Sequence, residues 1–525
     1  QFGQKEKKTV HHKKLADGGE VIVWETGRAG EEAASYENLF LRKEIAGFRT
    51  NIRREQSCSI KSLTRDYLYE QLLNSGEYTF DHMLVIKDPY GEAPLTALAL
   101  FILEEPACVR VTTKGDLKET DFVTELPKKK EHRVPILGMY AEKANTIVIE
   151  ILDDEGNCVK SHAFTIRTKR LPKSLRNVIT VKKWTDKPAY SNIMINGGVK
   201  IHTCVFDIEG KIRYYLSRKP RGYGIFPLSD GHFFYMEKYI SVPSYSNPQT
   251  VESYDMDYFG RVFRTYLTEK GVHHTAEEKA GGNILTGSNS MLEHTEDCVI
   301  EIDRQTGEIV WQLNMAEIFD ETYQNMMDWC HVNSAAYYEK DRTILISLRN
   351  VHAVICVDYD TKKLRWILSD PKFWEGTKMT PYLLQPEGDV KWCYQQHAAF
   401  EIALPDESNP QKKRIIVYDN HWAKRRKAKS FDNDPLSYVS FYDIDEEKKT
   451  VSLHKRFAGP KTRIRAKGIY VPDKKRVYNM AGSYAEPVDG DGGGIFEYDY
   501  ETGEVLSEFG VKPGFFRAYP FEPNV

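Results

Sequence analysis

The sequence predicts an all-β fold: a six-bladed β-propeller preceded by a small β-sandwich domain with an N-terminal helical segment. Three observations predict it. Aromatic residues reach 12% with 31 tyrosines, a bias toward pleated, half-buried surfaces. From about Val178 onward one pattern recurs: an apolar strand ending in aspartate, a turn, then a second apolar strand. The copies centre on Asp207, Asp257, Asp303, Asp358, Asp443 and Asp499, with gaps of 50, 46, 55, 85 and 56 residues. Repeats of roughly 40–50 residues, each holding four strands, are the signature of propeller blades. Six copies imply six blades, and the long gap implies an insertion in the fifth, around residues 404–437.

Upstream of the repeat the pattern differs. Residues 1–20 are polar and basic and read as a frayed arm. From Glu31 to about Ser75, Ala34, Leu39, Leu41, Ile45, Leu63, Tyr67 and Leu72 recur at helical offsets. From Thr79 to Thr168 short alternating runs take over: Leu84–Ile86, Val109–Val111, Thr146–Ile149 and His162–Ile166. Asp88-Pro89-Tyr90-Gly91 is a turn among them. Lys169-Arg170-Leu171-Pro172 is a linker, which divides the chain into 1–175, helical segment plus sandwich, and 176–525, propeller.

Composition narrows the function classes. At 525 residues the chain exceeds one ordinary core. The net charge of −3 argues against a nucleic-acid binder. No run of 18 apolar residues suggests a membrane span. The first residue is Gln, consistent with a removed signal peptide or tag. The eight cysteines form no CxxC pair, which argues against a zinc ribbon and a dense disulfide framework and leaves one or two isolated disulfides open. Cys330 and Cys393 stand close to histidines of interest and read as small buried residues.

Three short stretches put a histidine at the head of an inner strand: His273-His274-Thr275, His331 in Asp328–Ser334, and His397 in Gln395–Ala399. Adjacent antiparallel strands reverse direction, so the start of one lies beside the end of the next. Arg349, closing the strand after His331, therefore shares a face with His274, His331 and His397. Blade six offers Arg463, Arg465 and Ser483-Tyr484-Ala485-Glu486 to the same face. Imidazoles and a guanidinium in one mouth suit acid–base or nucleophilic work on an anionic ester, the planar fork gripping its oxygens. A metal centre at His273-His274 is disfavoured: no carboxylate stands at ligand spacing, and Arg349 opposes a cation. Lys424–Lys429, a basic run in the blade-five insertion, is either a solvated loop or a guide for anionic substrates.

No Gly-x-x-x-x-Gly-Lys-Ser/Thr and no Gly-x-Gly-x-x-Gly is present. The group transferred is thus not expected from a nucleotide held in such a loop, and no cofactor is expected. Asp303-x-x-Thr306-Gly307-x-x-x-Trp311 resembles the blade motif of quinoprotein dehydrogenases, but only Trp366 repeats the offset, so it reads as blade packing.

Taken together, Asp328-Trp329-x-His331-x-Asn333-Ser334, Ser347-x-Arg349 and Gln396-His397-Ala398 resemble, in order and approximate spacing, the active-site set of the bacterial, nucleotide-independent arylsulfate sulfotransferases. Asp88-Pro89-Tyr90-Gly91 with Ala93–Leu98 is similar to the start of that family's sandwich domain, and Phe516-Arg517-Ala518 also fits. Two positions depart. His273-His274-Thr275 stands where the family often has His-His-Asp, and Cys393 is alone where some members carry a disulfide. The resemblance implies ping-pong transfer of a sulfuryl group from a phenolic sulfate ester to a phenol through a sulfohistidine. It implies His397 as nucleophile, His331 and Arg349 on the sulfuryl oxygens with Asn333 assisting, and His274 as an oxygen-binding or proton-handling group. His273, Tyr90 and Tyr484 complete the substrate-binding candidates. Homo-oligomers, often dimers, and a periplasmic or other extracytoplasmic location are further implications. A quinoprotein-type oxidoreductase and a non-catalytic propeller scaffold remain the rival classes.

Overall fold

The computed structural model describes residues 10–36, 58–218, 223–240, 249–290, 294–404, 408–422 and 434–522. Residues 10–14 are not frayed. They form the strand Val10–Lys14, paired with Glu20–Trp24, which runs parallel to His82–Lys87. The helical pattern resolves into Thr26–Ala34 and Cys58–Asn74; Leu39, Leu41 and Ile45 lie outside the described residues. The N-terminal domain is built on the long strand Ala97–Thr113. Its first half pairs with His82–Lys87 and its second with Ala144–Leu152, while Phe122–Ile136 follows it along both halves.

The strands after residue 190 are propeller-like. The C-terminal strand Arg517–Phe521 pairs with Asn192–Asn196, so the two ends of the ring are zipped by one ladder. Among the described residues these strands form five sheets, of four, seven, four, five and five strands. The seven-stranded sheet spans two of the sequence repeats, because the strand Val262–Glu278 is shared. Its residues 262–267 pair with the outer neighbour Gln249–Met256 and its residues 272–278 with Ile284–Ser288. The inner strands Val262–Glu278, Val332–Tyr338, His397–Ile402, Ala466–Val471 and Arg517–Phe521 touch in sequence, and Gly224–Pro227 touches both Val262–Glu278 and Asn192–Asn196, the strand laddered to Arg517–Phe521.

The recurring aspartates close the turns between third and fourth strands. Oδ1 of Asp207, Asp257, Asp303 and Asp499 each accepts two backbone N–H groups of its own turn, and Asp358 accepts that of Thr361. In blade five Asp445 has this role, accepting from Lys448. The extra length there has two sources. The β-β connection at residues 420–435 was expected, but a second excursion at 369–396 leads into the inner strand. Lys424–Lys429 lies outside the described residues.

The two domains share apolar cores. Val85, Ala97 and Ile136 of the first belong to one cluster with Phe206, Ile495 and Phe515 of the propeller. Arg213, fully buried in blade one, crosses the boundary to the Gly138 and Thr120 carbonyls at 2.8 and 2.7 Å while pairing with Asp207 at 3.2 Å. Such a buried pair fixes geometry more than it adds stability. Among the described residues no helix is long and apolar enough to cross a membrane.

Candidate active site

Strand reversal brings the predicted residues together. His331 immediately precedes the strand Val332–Tyr338, and Arg349 immediately follows its partner Thr343–Leu348. The Arg349 N–H donates to the His331 carbonyl at 3.1 Å, which locks the pair side by side. His397 opens the next inner strand opposite Tyr418. His274 sits where Val262–Glu278 leaves blade two and enters blade three, its ring 4.6 Å from that of His331. Arg517 opens the last inner strand and donates to the Asn333 carbonyl at 2.8 Å.

The histidines do not share one ladder position. His331 lies one residue ahead of the first paired residue, Val332; His397 is itself paired; His273 is paired and His274 lies within the register shift between His273 and Ala276. Left-handed backbone reconciles these offsets. His274, His331, Ala398 and Arg465 have φ of 57, 57, 55 and 61°. Non-glycine residues there are strained, and such strain collects at functional sites.

The hydrogen bonds fix tautomers. His397 Nδ1 lies 2.6 Å from Asn420 Oδ1, an acceptor, so Nδ1 carries the proton and Nε2 bears the lone pair. Asn420 is itself oriented by donation to Thr462 Oγ1 at 2.9 Å. Burial, then Arg349, hold the His397 pKa well below the usual imidazole value, so the ring is neutral. His273 Nε2 donates to the Ser288 carbonyl at 2.8 Å, leaving its Nδ1 to accept the His274 Nδ1 proton at 3.1 Å. The neutral His274 then also presents a bare Nε2; burial and the His331 charge keep it unprotonated. His331 is the opposite case. Its Nδ1 donates to Asp328 Oδ2 at 2.7 Å and lies 2.6 Å from Glu296 Oε2. Burial works against the charge, but the two carboxylates outweigh it and raise the pKa to about 9. His331 is thus an imidazolium with Nε2–H to offer. Arg349 donates to Gln395 Oε1 and Asn350 Oδ1 at 3.2 and 3.4 Å.

Not every candidate fits its expected role. His273 is fully buried behind His274 and spends Nε2 on Ser288, so it orients its neighbour instead of touching substrate. Asn333 commits Nδ2 to the Gln396 carbonyl at 2.8 Å, one residue before His397, while its buried Oδ1 has no partner; an acceptor cannot assist an anion. Tyr90 is held in the first domain, its hydroxyl on Asp66 at 2.5 Å and its ring against Tyr69 and Phe259. Tyr484 belongs to the core between blades five and six, its phenol over Gly494, where a β-carbon would collide with the hydroxyl. Cys330 and Cys393 are buried free thiols whose pKa burial pushes up.

The sequence reading missed Glu296, Asp328, Asn420, Tyr223 and Arg517 as members of the site. Asp328 and Arg517 stood inside quoted motifs without a role. Asn420 follows the strand Lys412–Asp419 beside His397, as Asn350 follows, two residues on, the strand Thr343–Leu348 beside His331. Glu296 comes from a loop and left no periodic trace. It also overturns the expectation that no carboxylate stands near the histidine pair: His273, His274 and Glu296, and likewise Glu296, Asp328 and His331, bring ligand-type atoms within 4.8 Å. A cation fits poorly there, since His273 has both nitrogens engaged and Arg349 and Arg517 lie within electrostatic reach.

A family model described as Arylsulfotransferase (ASST) matches residues 178–517, and one described as Arylsulfotransferase Ig-like domain matches residues 84–169. Among curated proteins, the chain is 21% identical to arylsulfate sulfotransferase AssT of Lelliottia amnigena and 22% identical to that of Escherichia coli O6:H1, in both cases over 81% of this chain and 90% of the relative. Among solved structures, hydrazine synthase of Kuenenia stuttgartiensis is similar at 12% identity over 55% of this chain and 66% of that one, with a TM-score of 0.33. That likeness is too distant to bear on the chemistry.

Proposed function

This chain belongs to the arylsulfotransferase family, and from that premise we propose that it moves a sulfuryl group between phenols without a nucleotide, by double displacement through a sulfated His397. That it is a sulfotransferase, with aryl sulfates as donors and phenols as acceptors, follows from the family. One observation supports the covalent step above others: His397 is neutral and directs its proton to Asn420, which leaves the Nε2 lone pair free to act as a nucleophile.

In the first half-reaction the Nε2–S bond forms as the donor's S–O bond breaks, and the electron pair leaves on the phenolate. Charge spreads over three sulfuryl oxygens. Arg349, the His331 Nε2–H and Arg517 are fixed cationic donors for them, each of the kind whose removal costs roughly 3–4 kcal/mol in oxyanion sites. In the second half-reaction the acceptor hydroxyl gives its proton to His274 Nε2 and its oxygen attacks sulfur. The Nε2–S pair returns to the imidazole, and His274 releases the proton to solvent.

The pH dependence follows from two histidines. His331 has a raised pKa, so its N–H is present below about 9 and lost above it. His397 has a depressed pKa, so it stays nucleophilic across the neutral range and is lost only in acid. A kcat/KM profile with a neutral plateau and an alkaline limb near 9 is expected. Asn420→Asp places a carboxylate on Nδ1 and should move the acid limb upward toward neutrality while leaving the alkaline limb in place. Turnover of p-nitrophenyl sulfate with phenol across pH checks both; an unmoved acid limb removes Asn420 from control of the nucleophile.

A further inference from the structure

Aryl sulfates and aryl phosphates share one shape: a tetrahedral centre with three terminal oxygens. They differ in charge. The sulfate ester is a monoanion, whereas the phosphate ester becomes a dianion above a second pKa of about 6. Contacts to the oxygens alone cannot separate them, but the fixed charge of the pocket can.

That charge can be counted among the buried groups. Arg349, Arg517 and His331 are cationic; Asp328 and Glu296 are carboxylates. His273, His274 and His397 are held neutral. The excess is one positive charge, which a monoanion cancels. Lys467 is matched by Glu277 at 3.7 Å, and Arg465, whose charge reaches Tyr223, is partly open to solvent, which screens it.

Glu296 is what makes the excess one and not two. Asp328 alone would orient His331, since it already accepts the Nδ1 proton. Glu296 is an added carboxylate, 0% exposed, on a left-handed residue with φ of 55°. The fold fastens it there: its N–H donates to Asn289 Oδ1 at 2.7 Å and its carbonyl accepts from Val332 at 2.8 Å. The groups facing its carboxylate are His331 and Asp328 from blade four, His274 at 3.8 Å and His273 from blade three, and the Tyr223 hydroxyl at 3.4 Å from blade two. Keeping a second buried carboxylate at a strained position is costly unless its charge serves the site.

We propose that Glu296 is a specificity-determining residue: it sets the pocket's charge so that a sulfate monoester leaves it neutral and a phosphate dianion leaves an uncancelled buried charge. The inference rests on the aryl-sulfate reading of the site. Glu296 acts through His331 and the local field, not by touching the ester.

The test is competition by phenyl phosphate against p-nitrophenyl sulfate, with phenol as acceptor, on the full chain. For the unaltered protein, the ratio of the phenyl phosphate inhibition constant to the donor KM should fall at least about tenfold between roughly pH 8 and 5.5, as the phosphate gains its proton near 6. For Glu296→Gln the ratio read at about pH 7, where phenyl phosphate is already mostly the dianion and Asp328 still holds the proton on His331, should be at least about tenfold lower than in the unaltered protein, because the pocket then carries the second positive charge. A ratio flat with pH in the unaltered protein, or a variant ratio within about twofold of it, overturns the proposal. If Glu296→Gln binds but does not turn over, calorimetric titration with benzenesulfonate, a monoanion with no leaving group, and with phenyl phosphate reads the same preference. If it does not fold, the pH series of the unaltered protein decides. Failure of p-nitrophenyl sulfate turnover alongside a charge preference in those titrations would count against the functional reading alone.

Discussion

His397→Asn is expected to abolish sulfuryl transfer, lowering kcat by about six orders of magnitude, the scale seen when a nucleophile that works with its partners as one unit is removed. Asparagine offers neither a ring nitrogen nor a lone pair aimed at sulfur. It keeps a polar group at the first ladder position of the inner strand of blade five, so the pairing with Tyr418 should survive. The donor's sulfuryl oxygens still meet Arg349, Arg517 and His331, and donor affinity should change little. Both half-reactions should fail together, which separates loss of the nucleophile from loss of an acceptor site. Steady-state kinetics with circular dichroism of the variant check this. A variant that retains more than about a tenth of kcat would remove His397 from the covalent role.

Arg349→Lys is expected to lower kcat/KM by roughly a hundredfold with the fold intact, the size of an oxyanion donor's contribution. Arginine reaches Gln395 and Asn350 with two different nitrogens of its fork, so its plane is set before substrate arrives. Lysine keeps the charge but offers a single point, and burial pushes an ammonium toward its neutral form. Arg349 is 2% exposed, so the loss is not softened by water. The effect should fall mainly on kcat, because the charge on the three oxygens redistributes in the transition state. Unchanged kcat/KM would exclude Arg349 from the mechanism.

What could be read from sequence follows the reach of each interaction. The aspartate turns were legible because their chemistry is local: one side chain accepts N–H groups two to four residues on, as Asp207 and Asp303 do. His331, Arg349 and His397 were legible because antiparallel reversal places strand starts beside strand ends. The exact offset was not. A one-residue difference between His331 and His397 depends on left-handed residues, and composition does not announce those. Tyr90 and Tyr484 were misplaced for a related reason: a tyrosine in the connection after a strand has no periodicity to fix its side, and packing against Phe259 or over Gly494 decides it. Glu296 was invisible because a loop carries it, and Arg517 became a member of the mouth only when the last strand closed the ring. The two-part insertion was misassigned because the gap between aspartates sums over every connection it spans.

The central claim is a sulfated histidine, and intact-mass spectrometry after a donor-only pulse tests it most directly. Protein is mixed with p-nitrophenyl sulfate without acceptor and held near neutral or alkaline pH, because an N-sulfo bond is acid-labile. A gain of one sulfuryl group, ~80 Da, on the unaltered protein and none on His397→Asn, with parallel double-reciprocal lines in the full reaction, is the predicted result. No adduct on the unaltered protein, together with intersecting lines, would contradict it and mean direct transfer, with His397 acting as a base.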